Sequence, residues 1–192
     1  IEPPTWALLL ANAVRKKNYD PIILDYEADY KPDEEAADEI ESYKPRLVVF
    51  VLYGQNPNSG TTMMIGASTL AKQIKLSHPN LKIAFIGSHA SALPNEVASQ
   101  DYCDFAFINE GVIGLLDLLR TDLENKLDKV PGMWYKHRGL ARPSERGEIV
   151  KTEYMDQIMP GYAWDLIDLK KYRAHFWHSN FSHENRTPFA AL

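Results

Sequence analysis

Leu47-Val48-Val49-Phe50-Val51-Leu52-Tyr53 is the longest apolar run in the sequence, and its reading decides the fold. It shows no polar alternation, the pattern of a parallel strand covered on both faces. Its length suits a strand and falls far short of the roughly 20 residues of a membrane span. The run leads into residues 54–60, rich in Gly, Asn and Ser, which read as a non-helical loop. A helix is expected from Thr61, with Met63, Ala67, Leu70 and Ile74 at helical spacing.

The same unit then recurs. Residues 82–86 form a second apolar run that ends at Gly87-Ser88-His89, with a short helix expected over 93–99. Residues 105–108 form a third, followed by Asn109-Glu110-Gly111 and a helix with Val112, Leu115, Leu116 and Leu119 inward. Upstream, residues 6–14 read as an apolar helix closed by Arg15-Lys16-Lys17, cations at the negative end of its dipole. Residues 22–25 read as a short buried strand, and Pro32-Asp33-Glu34-Glu35 opens a helix with acids in its first turn. Strands near 22–25, 46–53, 82–87 and 105–109, alternating with helices, predict an α/β doubly wound parallel sheet with right-handed crossovers.

After about residue 130 that rhythm stops. Residues 133–136 and 148–151 are expected to pair as a hairpin around a polar loop. Residues 153–192 show neither helical nor strand periodicity and are expected to be extended, with Trp164, Phe176 and Trp177 seeking a surface.

Composition narrows the function. The 192 residues hold 21 Lys plus Arg against 26 Asp plus Glu, a formal charge of −5, which argues against nucleic acid or an anionic membrane surface as partner. A single cysteine, Cys103, leaves no internal disulfide and no thiolate-rich metal site, and fits a cytoplasmic protein. His175, His178 and His183 have HxxH spacing but no helical pattern or carboxylate partner set, so they make a poor zinc site.

Ligands of open parallel sheets bind outside the carboxyl ends of the strands, where loops converge and helix N-termini point at the ligand. Three such ends are legible. The first holds Gly54, Gln55, Asn56, Ser59, Gly60 and Thr61; the second Gly87, Ser88, His89 and Ser91; the third Glu110 and Gly111. Each residue also has a plain structural reading: the glycines as turns, Ser59 or Thr61 as a helix cap. None of the loops has a Walker lysine or a GxGxxG, so a nucleoside triphosphate or dinucleotide fits poorly.

Taken together, residues 53–61, the run Gly87-Ser88-His89-Ala90-Ser91-Ala92-Leu93-Pro94-Asn95-Glu96 and Asn109-Glu110-Gly111 resemble the cobalamin-binding domain of cobalamin-dependent radical S-adenosylmethionine enzymes. That family's second loop commonly reads GGxHxxALPEE and its third GEGE; Gly87-Ser88 stands here where the family has Gly-Gly. Pro160-Gly161-Tyr162-Ala163-Trp164-Asp165 and Tyr172-Arg173-Ala174-His175 resemble the connector that precedes the radical barrel, and Arg186-Thr187-Pro188-Phe189 the approach to its first strand.

The resemblance implies a flavodoxin-like (Rossmann-like) sheet of order 2-1-3-4-5 whose first strand would precede Ile1. It divides the chain into a cobalamin-binding-like domain over 1–130, a hairpin appendage over 131–152 and an extended connector over 153–192. It implies that the three loops hold cobalamin, its nucleotide tail passing Gly87 and Ser88 and bordered by His89, Ser91, Glu110 and Gly111. A bulky residue at Gly87 or Ser59 is then expected to block the cofactor and leave the fold intact. No DxHxxG occurs in this sequence, so the histidine that binds cobalt from below in other cobalamin domains has no counterpart in it. The implied partner is a radical barrel of the same protein, with its 4Fe–4S cluster, S-adenosylmethionine and a small-molecule substrate, and CxxxCxxC expected after Leu192. This chain would not be catalytic by itself; methyl transfer or ring formation would belong to the whole protein. A flavin-binding module and a cofactor-free receiver-like module are the alternatives. A receiver would carry an Asp where Tyr53 stands.

Overall fold

The structure, a computed structural model, describes residues 2–54 and 57–172. They fall into two compact units, one of residues 2–31 with 159–172 and the other Pro32–Ile158.

The larger unit carries a five-stranded sheet in the order β1 (Val48–Leu52), β2 (Ile83–Gly87), β3 (Phe105–Phe107), β4 (Met133–His137), β5 (Leu140–Pro143). The first three strands run parallel, from Val48 opposite Ile83 to Leu52 opposite Gly87, and Ala84 opposite Phe105. Helices α2 (Asp33–Ser42), α3 (Pro57–Ser77), α4 (Ser88–Ala92), α5 (Pro94–Ala98) and α6 (Val112–Leu119) accompany them, and a short α7 (Met155–Ile158) closes the unit. The α/β class read from the sequence is therefore the class observed.

Burial follows position in the sheet. All five residues of β2 are buried, because β2 has a ladder partner on each side. β1 has a partner on one side only among the described residues, so Val48 to Val51 are half-buried and Leu52 alone is fully covered. The strand expected to be covered on both faces is thus the outer one. In α3 the inward stripe is Met64, Ala67, Leu70, Ala71 and Ile74. Lys75 donates to Asp104 at 2.7 Å and to the Leu81 carbonyl, while Asp104 accepts from the Ile83 amide at 2.8 Å; this joins the end of α3 to the start of β2.

Four expectations are corrected. Residues 22–25 form no strand: nothing described pairs with them, and a four-residue strand exists only through its ladder. Instead Asp25 closes an Asx turn, its carboxylate accepting from the amides of Glu27 and Ala28. The hairpin pairs Met133–His137 with Leu140–Pro143, not with 148–151. Its two turn residues, Arg138 at φ +53° and Gly139 at φ +79°, supply the paired left-handed conformations of a tight type I′ hairpin. Nor is the hairpin an appendage, because β4 pairs antiparallel with β3, Phe105 opposite Tyr135 and Phe107 opposite Met133. Finally, α3 starts at Pro57, so residues 57–60 are helical; a proline in the first turn loses no hydrogen bond and arrives with its φ already set.

The smaller unit is built on α1 (Thr5–Arg15), with residues 159–172 secured to it. Asn12 donates to the carbonyls of Pro160 and Gly161 at 3.2 and 3.1 Å, Arg15 pairs with Asp165 at 2.6 Å, and the Ala163 amide donates to Leu8. The buried Tyr172 donates to Asp25 at 2.8 Å; burial and then that carboxylate push its phenol's pKa up. The expected extended connector is here a chain of short turns, Trp164–Leu166 and Leu169–Lys171 among them. Phe176, Trp177, the three clustered histidines and the Arg186 stretch lie outside the described residues.

Candidate functional site

Three strand ends meet three helix starts. Tyr53 and Gly54 follow β1 and lead to α3; β2 passes at once from Gly87 into α4 at Ser88; β3 leads through Asn109-Glu110-Gly111 into α6. In a parallel sheet these turns share one edge, and the free amides of helix first turns face it.

Side chains tie the loops to one another. Thr61 Oγ1, in the first part of α3, lies 3.1 Å from His89 Nδ1 and fixes that ring against the first loop. The Tyr53 phenol donates to the Asn109 carbonyl at 2.7 Å, and the Asn109 amide donates to Ser91 Oγ at 2.9 Å. The two peptide units that flank the Asn109 Cα are therefore held, one from the first loop and one from the second. Burial, and then the nearby Glu110 carboxylate, push the Tyr53 pKa up to about 12, so the phenol stays a donor at neutral pH.

The glycines let the loops touch. A Cβ on Gly60 would lie 2.1 Å from Ser88 Oγ, and one on Gly54 2.1 Å from Ser59 Cβ. At Gly87 it would lie 2.3 Å from the Leu52 carbonyl oxygen, so its lack of a side chain serves the approach of β2 to β1. The expectation that a tryptophan there would spare the fold is corrected: it would drive β1 off β2. Gly111, at φ +70°, is the left-handed residue before α6 and is fully buried.

Of the residues singled out from sequence, Ser59, Gly60, Thr61, Ser88, His89, Ser91, Glu110 and Gly111 lie in these loops and helix starts, with Gly54 exposed beside Ser59 and Gly87 buried at the end of β2. Gln55 and Asn56 lie outside the described residues. Sequence reasoning quoted Tyr53 and Asn109 within the resembling runs but did not single them out as site residues; Asn109 has a φ of +56°, the left-handed conformation asparagine tolerates better than most residues.

The donor set is neutral: hydroxyls, an imidazole and backbone amides, with Glu110 the one charged side chain in these loops and no lysine or arginine. With no cation to meet phosphates, that chemistry suits a nucleoside triphosphate badly. No group of three or more metal-ligating side chains occurs among the described residues, and no described helix is long and apolar enough to cross a membrane.

Comparison with protein families matches residues 1–119 to the B12 binding domain. The chain belongs to the B12-binding domain family. Comparison with curated proteins gives no match. The matched region of this B12-binding chain contains all three strand-end loops and stops at Leu119, the last residue of α6. The fit to cobalamin is consistent with the site itself, which offers neutral hydrogen-bonding groups to the amide-fringed corrin and glycines where backbone must come close.

Proposed function

We propose that the loops at 54–61, 87–91 and 109–111 hold cobalamin for a radical S-adenosylmethionine barrel of the same protein. The observation that carries the cofactor part is the linkage of all three loops into one neutral polar surface by the Thr61–His89, Tyr53–Asn109 and Asn109–Ser91 contacts. Thr61 and Ser59 at the start of α3, Ser88 and His89 at the start of α4, and the backbone around Glu110 and Gly111 would supply the hydrogen bonds. When bound, cobalamin supplies a cobalt centre able to carry a methyl group. The chain's own part is to bind and orient.

The radical part is supported by the resemblance of 160–175 and 186–192 to the connector before such a barrel. Under this reading the 4Fe–4S cluster, S-adenosylmethionine and the small-molecule substrate belong to the barrel, the reaction is methyl transfer or ring formation, and the protein is cytoplasmic.

Titration of the chain with hydroxocobalamin tests the cofactor part. A shifted corrin spectrum and co-elution on gel filtration, with a Kd below about 100 μM (near −5.5 kcal/mol), are expected. His89→Ala should weaken binding modestly and leave the bound spectrum unchanged, because His89 would only border the cofactor. Failure of the chain to retain any corrinoid would overturn the reading. Cobalamin-dependent turnover of S-adenosylmethionine by the full-length protein tests the radical part.

A further inference from the structure

Asn109 is an L-residue at φ +56°, and two residues later Gly111 sits at φ +70°, so the turn into α6 needs two left-handed residues in three. Left to itself an L-residue disfavours that conformation. The Asn109 backbone is held in it on both sides of the Cα: Tyr53 donates to its carbonyl, and its amide donates to Ser91.

The origin of the first bond is unusual in its reach. Tyr53 follows β1, Asn109 follows β3, and β2 lies between them in the sheet. Adjacent strands are spaced about 4.8 Å apart, so the contact spans two strand spacings. A serine or threonine at position 53 could not make it. Tyr53 is half-buried, and its phenol is kept protonated far above neutral pH, so the bond persists over the working range.

We propose that Tyr53 is a positioning residue of the cobalamin site, its hydroxyl setting the Asn109-Glu110-Gly111 turn before the cofactor arrives. The proposal rests on the cobalamin reading above. Ser91 then belongs with Tyr53, because its hydroxyl oxygen accepts from the Asn109 amide and so helps to shape the third loop. Preorganisation of this kind tightens binding by removing the ordering cost of a loop.

Tyr53→Phe keeps the ring and deletes only the donor. Two measurements on the full chain test it. In the cofactor-free protein, amide exchange at residues 109–112 should accelerate about tenfold while exchange in β2 stays at the parent rate. Hydroxocobalamin affinity should fall about tenfold, the loss of one hydrogen bond of ordinary worth. Ser91→Ala should show the same local signature.

Unchanged exchange at 109–112 would overturn the proposal, and so would acceleration spread equally into β2, which marks general destabilisation. A loosened turn with parental affinity would also overturn it, by showing that the turn's geometry does not matter to the ligand. If the parent chain binds no hydroxocobalamin, the cobalamin reading itself fails and the proposal falls with it. A parent that binds while Tyr53→Phe matches it in both measurements isolates the failure to Tyr53.

Discussion

Adding one methyl group at either of two glycines in the larger unit should move stability in opposite directions. At Gly87 the new Cβ would sit 2.3 Å from the Leu52 oxygen and 2.8 Å from the Leu52 carbonyl carbon, both backbone atoms that no rotamer change can move. Ordinary contact begins near 3.4 Å, so β1 would have to retreat by about 1 Å from the β2 ladder. Gly87 also has φ +156° and ψ 175°, a region essentially reserved for glycine. Overpacking costs roughly 1–3 kcal/mol and the backbone conformation roughly 1–3 kcal/mol, so Gly87→Ala should lose about 4 kcal/mol. For a chain of this size each kcal/mol moves Tm by about 2–4 °C, giving a fall of about 8–16 °C. Gly66 lies inside α3 with nothing within 4 Å of an added Cβ. Gly66→Ala should therefore gain roughly 0.5–1 kcal/mol of helix propensity and raise Tm by about 1–4 °C. Thermal melts followed by circular dichroism read both. A Gly87→Ala variant melting within about 2 °C of the parent would refute the reasoning.

Three further outcomes are expected. Asn12 is 7% exposed and donates to two carbonyls of the 160–161 turn, so Asn12→Ala should cost roughly 1–3 kcal/mol and speed proteolysis near residues 159–165 about tenfold; parental cleavage rates would count against it. Cys103 is buried and its pKa is pushed up to about 12, chiefly by burial and then by Asp104, so the native thiol should resist a disulfide reagent at pH 8 and react in denaturant. Because that pKa is raised by folding, its contribution to stability is complete below the ordinary value near 9 and is lost as pH climbs toward 12. Cys103→Ser should flatten that alkaline decline, and an unchanged slope would contradict the assignment.

Much of the architecture was legible in the sequence because it is locally encoded. Apolar runs at 47–53, 82–86 and 105–108, each followed by small polar residues and then a helical stripe, specify strand, turn and helix by patterning alone. The three strand-end loops were legible for the same reason, since a parallel sheet with short crossovers must bring them to one edge. The tertiary structure decided what depends on a partner distant in sequence. Residues 22–25 have strand composition but no ladder partner among the described residues, so they form no strand there. Leu140–Pro143 rather than 148–151 pairs with β4, because two left-handed residues at 138–139 close a tighter turn than a long polar loop can. Tyr53 read as the end of a strand; only folding set its hydroxyl 2.7 Å from an Asn109 carbonyl 56 residues away. A hydrophobic pattern records which face of an element is buried, but the partner of a single hydrogen bond is fixed by where the rest of the chain comes to lie.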